Sequence, residues 1–179
     1  NRKYLLKGSS GSGKTTSMNL LLDYYEPNMG DITINNVNVR EIKNLNKMIT
    51  VMRQDSILFE DTLRNNITMF QNISDDKLIE TLDRVGLSNY GEPEKLDLLV
   101  NERGTNFSGG EKRRITLARS LLRETPVIIL DEPLANLDEA NAKAIESLIL
   151  DITDRTVIII SHQFSIENIS RLDEVIEFS

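Results

Sequence analysis

Gly8-Ser9-Ser10-Gly11-Ser12-Gly13-Lys14-Thr15 fits the pattern G-x-x-x-x-G-K-[ST] at every fixed position. Glycines let a backbone turn tightly and approach a polyphosphate closely, so that successive N–H groups point inward at the anion. The stretch follows the apolar run Tyr4-Leu5-Leu6 and precedes a helix-like segment from Ser17 to Tyr25. That is the strand–loop–helix setting a phosphate loop needs. A helix N-terminus adds its dipole, and Lys14 adds a full positive charge near the β and γ phosphates. Ser9, Gly11, Ser12, Gly13 and Thr16 complete the candidate phosphate contacts, and Thr15 offers a hydroxyl to Mg²⁺.

Two further stretches carry chemistry. The apolar run Val127-Ile128-Ile129-Leu130 ends in Asp131-Glu132. Ligands of parallel α/β sheets sit at the carboxyl ends of strands, so this pair should face the phosphate loop. Asp131 suits a carboxylate that holds Mg²⁺, and Glu132 suits a group that orients and deprotonates water. Asn106-Phe107-Ser108-Gly109-Gly110-Glu111-Lys112 reads locally as a capping box, with Ser108 at the N-cap and Glu111 three residues on. Capping does not account for Gly109 and Gly110, which weaken a first helical turn. Bare N–H groups at a positive helix end form a second anion site. One phosphate loop and one such helix start, far apart in sequence, have a simple joint use: two copies pair, each presenting its helix end to the other's nucleotide.

The elements that position these residues follow from periodicity. Asn1 to Lys7 reads as a strand, and Leu20, Leu21, Leu22 and Tyr24 give the next helix a core face. Residues 31–39 alternate with period two around Asn35-Asn36, as a small hairpin does. Ile49-Thr50-Val51-Met52 is a strand that delivers Gln54. Helices are expected from Ser74 to Leu87, with Ser74 as N-cap, from Gly109 to Arg123, and from Glu139 to Ile152. Strands are expected at Val127–Leu130, Val157–Ile160 and Val175–Phe178. Apolar strands alternating with helices indicate a parallel sheet covered on both faces. The 179 residues, 39% hydrophobic and 27% charged, suffice for one globular domain. No apolar run approaches a membrane span. The absence of cysteine removes disulfide and thiolate chemistry. The net charge of -7 argues against a broad nucleic-acid surface.

With these motifs in this order, the chain resembles the ATP-binding-cassette ATPases over nearly its whole length. Ser108-Gly109-Gly110-Glu111 looks like their signature motif, Gln54 matches their glutamine loop, and Ala135-Asn136-Leu137-Asp138 resembles the loop whose aspartate crosses a dimer interface. His162 stands where the family keeps a γ-phosphate-sensing histidine. Leu58 to Ile67 and Asn101-Glu102-Arg103-Gly104 are similar to exporter stretches, although Asn101 replaces a commoner glycine.

The resemblance implies an α/β P-loop NTPase with a mostly parallel central sheet and a helical subdomain carrying the signature. Residues 1–54 and 124–179 would form the core and 55–123 the helical subdomain. It implies ATP and Mg²⁺ as cofactors. Thr15, Gln54 and Asp131 would serve the metal, Glu132, His162 and Gln54 would be catalytic, and Ser108, Gly109, Gly110 and Asp138 would reach nucleotide across a head-to-tail pair. The implied partners are a second copy or homologous ATPase domain and a transmembrane domain, fused upstream or separate, at the cytoplasmic face of the membrane. No nucleic acid is implied. Alternatives are a nucleotide-binding module that does not hydrolyse, an importer subunit or a soluble cassette ATPase. DNA-repair cassettes are disfavoured by the lack of heptads.

Departures from the family pattern are Glu111 for glutamine and Phe107 for leucine. The family's N-terminal antiparallel strands, with the aromatic that stacks on adenine, are expected to be largely missing before Gly8. The piece would then bind ATP several-fold more weakly, since base stacking is worth roughly 1–3 kcal/mol in nucleic-acid systems.

Overall fold

The computed structural model of the chain describes residues 1–55 and 57–179. Strand β1 (Lys3–Gly8) runs through the phosphate loop into α1 (Lys14–Leu21). A hairpin follows, β2 (Thr33–Ile34) and β3 (Val37–Asn38), and then β4 (Ile49–Met52). Four helices come next: α2 (Leu63–Thr68), α3 (Asp75–Arg84), α4 (Pro93–Leu96) and α5 (Gly109–Leu121). The chain closes with β5 (Val127–Asp131), α6 (Glu139–Leu150), β6 (Thr156–Ile160), α7 (Ile166–Ile169) and β7 (Glu174–Phe178).

Five strands form one parallel sheet in the order β4–β5–β6–β1–β7. Side chains of successive residues leave opposite faces of a strand. Ile128 and Leu130 therefore join the larger core with α5 and α6, while Ile129 joins a smaller one with Met18 of α1. Burial on both faces explains why Val127–Leu130 of β5 and Val157–Ile160 of β6 are continuously apolar rather than alternating. Each buried Leu or Ile contributes roughly 1.5–3 kcal/mol relative to exposure. The larger core also takes Leu63, Ile67, Leu78, Leu82, Val85 and Leu96, with α2 and α3 packed onto α5 and α4 against α2. Among the described residues no helix is long and apolar enough to cross a membrane.

The 31–39 hairpin forms as the alternation predicts, with Asn35 and Asn36 both at positive φ in its turn. Several expectations are corrected. The first helix begins at Lys14 and ends at Leu21, because Asp23 turns into the left-handed region. Tyr24 lies beyond that end, 62% exposed with the Arg53 guanidinium over its ring, so it is not on the core face; Met18, Leu21 and Leu22 hold that position. Ser74 precedes α3 without a side-chain cap bond. Helix α2 was not signalled by apolar period, since only Leu63 and Ile67 mark its core face. Its local signal was Thr62, whose hydroxyl accepts from the Asn65 N–H.

Candidate active site

The phosphate loop is built by close approach. A Cβ on Gly8 would come 2.5 Å from the Phe178 carbonyl oxygen and 2.7 Å from the Ser12 hydroxyl, so β1 can pass into the loop only as glycine. Gly13 then caps α1 at φ 95°, a conformation that costs other residues strain. The Lys14 side chain folds back over the loop, nearly buried. Its ammonium donates to the carbonyls of Gly8 and Ser9, both at 2.8 Å, and to the Ser12 hydroxyl at 3.3 Å. Those three bonds hold a cation at the loop's mouth.

The acidic side arrives on adjacent strands. Asp131 is the last residue of β5, paired with Ile160 at the end of β6. Glu132 follows at φ 47°, with its N–H donating to the Ile160 carbonyl at 2.8 Å. Holding a non-glycine residue there costs on the order of 1–3 kcal/mol, a strain that concentrates at functional positions. It turns the carboxylate toward His162, whose Nδ1 lies 3.0 Å from each Glu132 oxygen. A carboxylate only accepts, so Nδ1 carries the proton in this contact. The turn under His162 is fastened by buried Ser161, which donates to the Gln163 carbonyl at 2.5 Å and accepts from its N–H at 3.1 Å. Glu146 of α6, also buried, fixes the next turn by accepting from the Ser165 N–H and the Asn168 amide.

One cavity of about 300 Å³ brings these groups together, lined by Ser10, Gly11, Gly13, Lys14, Thr15, Thr16, Gln54, Glu132 and His162. Ser10 is the lining residue not singled out from the motif. Asp131 lies beside the cavity, 5% exposed, and its Oδ1 has no hydrogen-bond partner. Burial, and next the charge of Glu132, push its carboxyl pKa up; Arg53 and Lys14 oppose them. A buried carboxylate oxygen without a donor is costly unless a cation meets it. Among the described residues no group of three or more His, Cys, Asp or Glu is placed to hold a metal. One carboxylate beside the cavity, with the Thr15 hydroxyl and the Gln54 amide on its lining, fits Mg²⁺, which is usually held by one or two carboxylates and completes its shell with phosphates and water.

The signature segment lies apart from this cavity. Ser108 and Glu111 close the predicted capping box: the Ser108 hydroxyl accepts from the Glu111 N–H at 3.2 Å, and Glu111 Oε2 accepts from the Ser108 N–H at 2.8 Å. The other Glu111 oxygen accepts from the Tyr90 hydroxyl at 2.7 Å. Burial pushes the Glu111 carboxyl up, but Tyr90 and Ser108 together outweigh it and leave the carboxyl below its ordinary range. Burial, and next the same contact, push the Tyr90 hydroxyl up to about 12. Asp138 caps α6 in the same manner, accepting from the Asn141 N–H at 3.0 Å and its side-chain amide at 2.6 Å. A Cβ on Gly110 would come 2.5 Å from that Asn141 side chain, so the glycine lets the two helix starts meet.

The structure thus brings Gly11, Gly13, Lys14, Thr15, Thr16, Gln54, Glu132 and His162 into one site, with Ser9, Ser12 and Asp131 at its edge. Ser108, Gly110 and Asp138 are not brought to it within one chain. Gly109 lines a neighbouring cavity of about 160 Å³ that also touches Gln54, Arg113 and Ala135. Arg113 escaped the sequence reading, since Lys112-Arg113-Arg114 is a run of cations that does not mark which member is buried.

A family model described as ABC transporter matches residues 1–135. An ATP-dependent lipid A-core flippase of Mannheimia succiniciproducens is 36% identical over 98% of this chain, which spans 31% of that protein. ABC transporter ATM1 of Plasmodium falciparum is 40% identical over 98% of the chain, here 17% of the relative's length. The structure of a bacterial Atm1-family ABC exporter with ATP bound superposes with a TM-score of 0.86 at 28% identity, covering 99% of this chain and 32% of that one. The chain therefore spans about a third or less of the length of these relatives.

Proposed function

The chain belongs to the ABC transporter family, and from that premise we propose that it binds and hydrolyses ATP as the nucleotide-binding domain of an exporter. Lys14 and the loop N–H groups hold the β and γ phosphates, with the α1 dipole behind them. Thr15, Asp131 and Gln54 are the residues that would hold Mg²⁺, which would offset charge on the phosphates. Glu132 orients a water and takes its proton as the water oxygen bonds to the γ phosphorus and the bond to the bridging oxygen breaks, releasing ADP and phosphate. With one ring nitrogen committed to Glu132, His162 turns the other side of its ring to the γ phosphate. Catalysis of this kind is positioning and charge stabilisation by groups already in place.

Ser108, Gly109, Gly110 and Asp138 serve the nucleotide of a second copy or a homologous domain in a head-to-tail pair. Transport requires a transmembrane domain, on this polypeptide or another, and places the ATPase domain at the cytoplasmic face of the membrane. The observation that carries the reading is the meeting of Lys14, Gln54, Glu132 and His162 in one cavity, with the Glu132–His162 contact already made. Steady-state MgATPase activity tests it beside the Glu132→Gln variant. Hydrolysis by the parent, with an idle variant that dimerises on MgATP in size-exclusion chromatography, is the expected result. An idle parent that binds ATP would leave a binding module, and absence of ATP binding would remove the proposal.

A further inference from the structure

Beneath the first turn of α5, one cation is bonded to two distant loops. Arg113 is only 9% exposed. Its Nη1 donates to the Gln54 carbonyl at 3.0 Å and its Nη2 to the Ala135 carbonyl at 3.1 Å, across 59 and 22 residues of sequence. The first carbonyl belongs to the segment leaving β4, and the second to the segment that leads through Asp138 into α6.

Desolvating a guanidinium is expensive, and apolar side chains of similar volume often fill such a place at lower cost. Asp55 supplies an opposing charge, yet burial still draws the Arg113 pKa below its ordinary value. Beside the guanidinium lies a cavity of about 160 Å³ lined by Gln54, Gly109, Ala135 and Leu137, so the polar bonds of Arg113 bridge the three segments at its wall. A guanidinium is a planar fork with its nitrogens at fixed separation. Bonding one carbonyl on each nitrogen therefore sets the distance between the two loops and ties both to the helix that Ser108 caps.

We propose that Arg113 is a positioning residue that couples the Gln54 loop and the Ala135–Asp138 loop to the signature helix. A displacement of the Ser108–Gly110 end then moves Gln54 and Asp138 together. The inference rests on the role given to Gln54 under the proposed function. It goes beyond that reading by naming the link between the catalytic cavity and the face offered to a second copy.

The test compares Arg113→Met, which removes both donors at similar length, with Arg113→Lys, whose single ammonium keeps the charge but not the fork. Both are assayed in the intact protein beside the parent and Glu132→Gln. Arg113→Met is expected to lower kcat at least about tenfold, since small misplacements of reacting groups carry costs of this size. It should raise the Mg²⁺ concentration for half-maximal rate at least about threefold and leave ATP affinity in EDTA within about twofold. Arg113→Lys should fall between, and it decides alone if Arg113→Met does not fold. Turnover and Mg²⁺ dependence within about twofold of the parent in the folded variants, with Glu132→Gln idle, would overturn the Arg113 role alone. A loss that only tracks a lowered Tm would do the same. A parent without MgATPase activity, or Glu132→Gln as active as the parent, would overturn the proposed function and the Arg113 role with it.

Discussion

The phosphate cavity and the signature end of α5 treat their polar groups in opposite ways. At the signature end, Ser108, Glu111 and Tyr90 satisfy one another, and Asp138 and Asn141 do the same at α6. At the phosphate cavity, a buried Asp131 oxygen has no donor, and Glu132 is held in a strained conformation. The first region is a finished piece of local structure that stabilises the fold whether or not a ligand comes. The second carries two unfavourable terms, of which a bound cation would relieve the Asp131 one. Substitutions in the two regions should therefore separate activity from stability.

The largest effect belongs to the cavity. Glu132→Gln should lower kcat by about 10²–10⁴-fold, the usual contribution of a general base, while ATP affinity by equilibrium titration stays within about threefold. Lys14→Ala should instead weaken ATP binding by about 10–100-fold, the loss of a charged hydrogen bond worth roughly 1.5–3 kcal/mol. If the two variants showed the same pattern, the division of binding from chemistry within the cavity would fail.

Thermal unfolding without nucleotide at pH 7 breaks or sharpens the contrast directly. Ser108→Ala removes a cap worth about 1 kcal/mol and should lower Tm by about 2–4 °C. Asp131→Asn removes a buried charge whose Oδ1 has no hydrogen-bond partner, and should raise Tm by a similar ~2–4 °C while abolishing turnover. Shifts of the same sign would show that the cavity holds no such stored cost.

Glu111→Gln should have the smallest effect. Glutamine keeps the capping geometry, so ATP turnover should change by less than about tenfold, or 1.4 kcal/mol; a larger gain would mean the acidic charge does oppose phosphate at that helix end. Its signature lies in pH. Because the folded pKa of Glu111 is below its unfolded value, its stabilisation is present above the ordinary glutamate range and is lost as pH falls through the folded value. The parent and variant should therefore differ in Tm at neutral pH and converge in acid.

Much of this was legible in the linear chain because it is local. A phosphate loop needs particular residues at adjacent positions, and a capping box needs a serine and a glutamate three apart. Both formed where the spacing placed them, and the β5 run ended at its acidic pair as the strand pattern implied. Local signals also misled where a helix ended early: Tyr24 kept the apolar period of α1, but Asp23 had already turned the backbone.

The amino-acid sequence by itself determined the family, the alternation of strands and helices, and the candidate site residues. Only the tertiary structure decided that Gln54, Glu132 and His162 share one cavity with Lys14 while Ser108 and Asp138 face elsewhere. It alone selected Arg113 from three successive cations as the buried one. The physical reason is range. Caps, turns and strand patterns are fixed by neighbours a few residues apart, whereas a shared cavity or a two-pronged bond depends on strand order and helix packing.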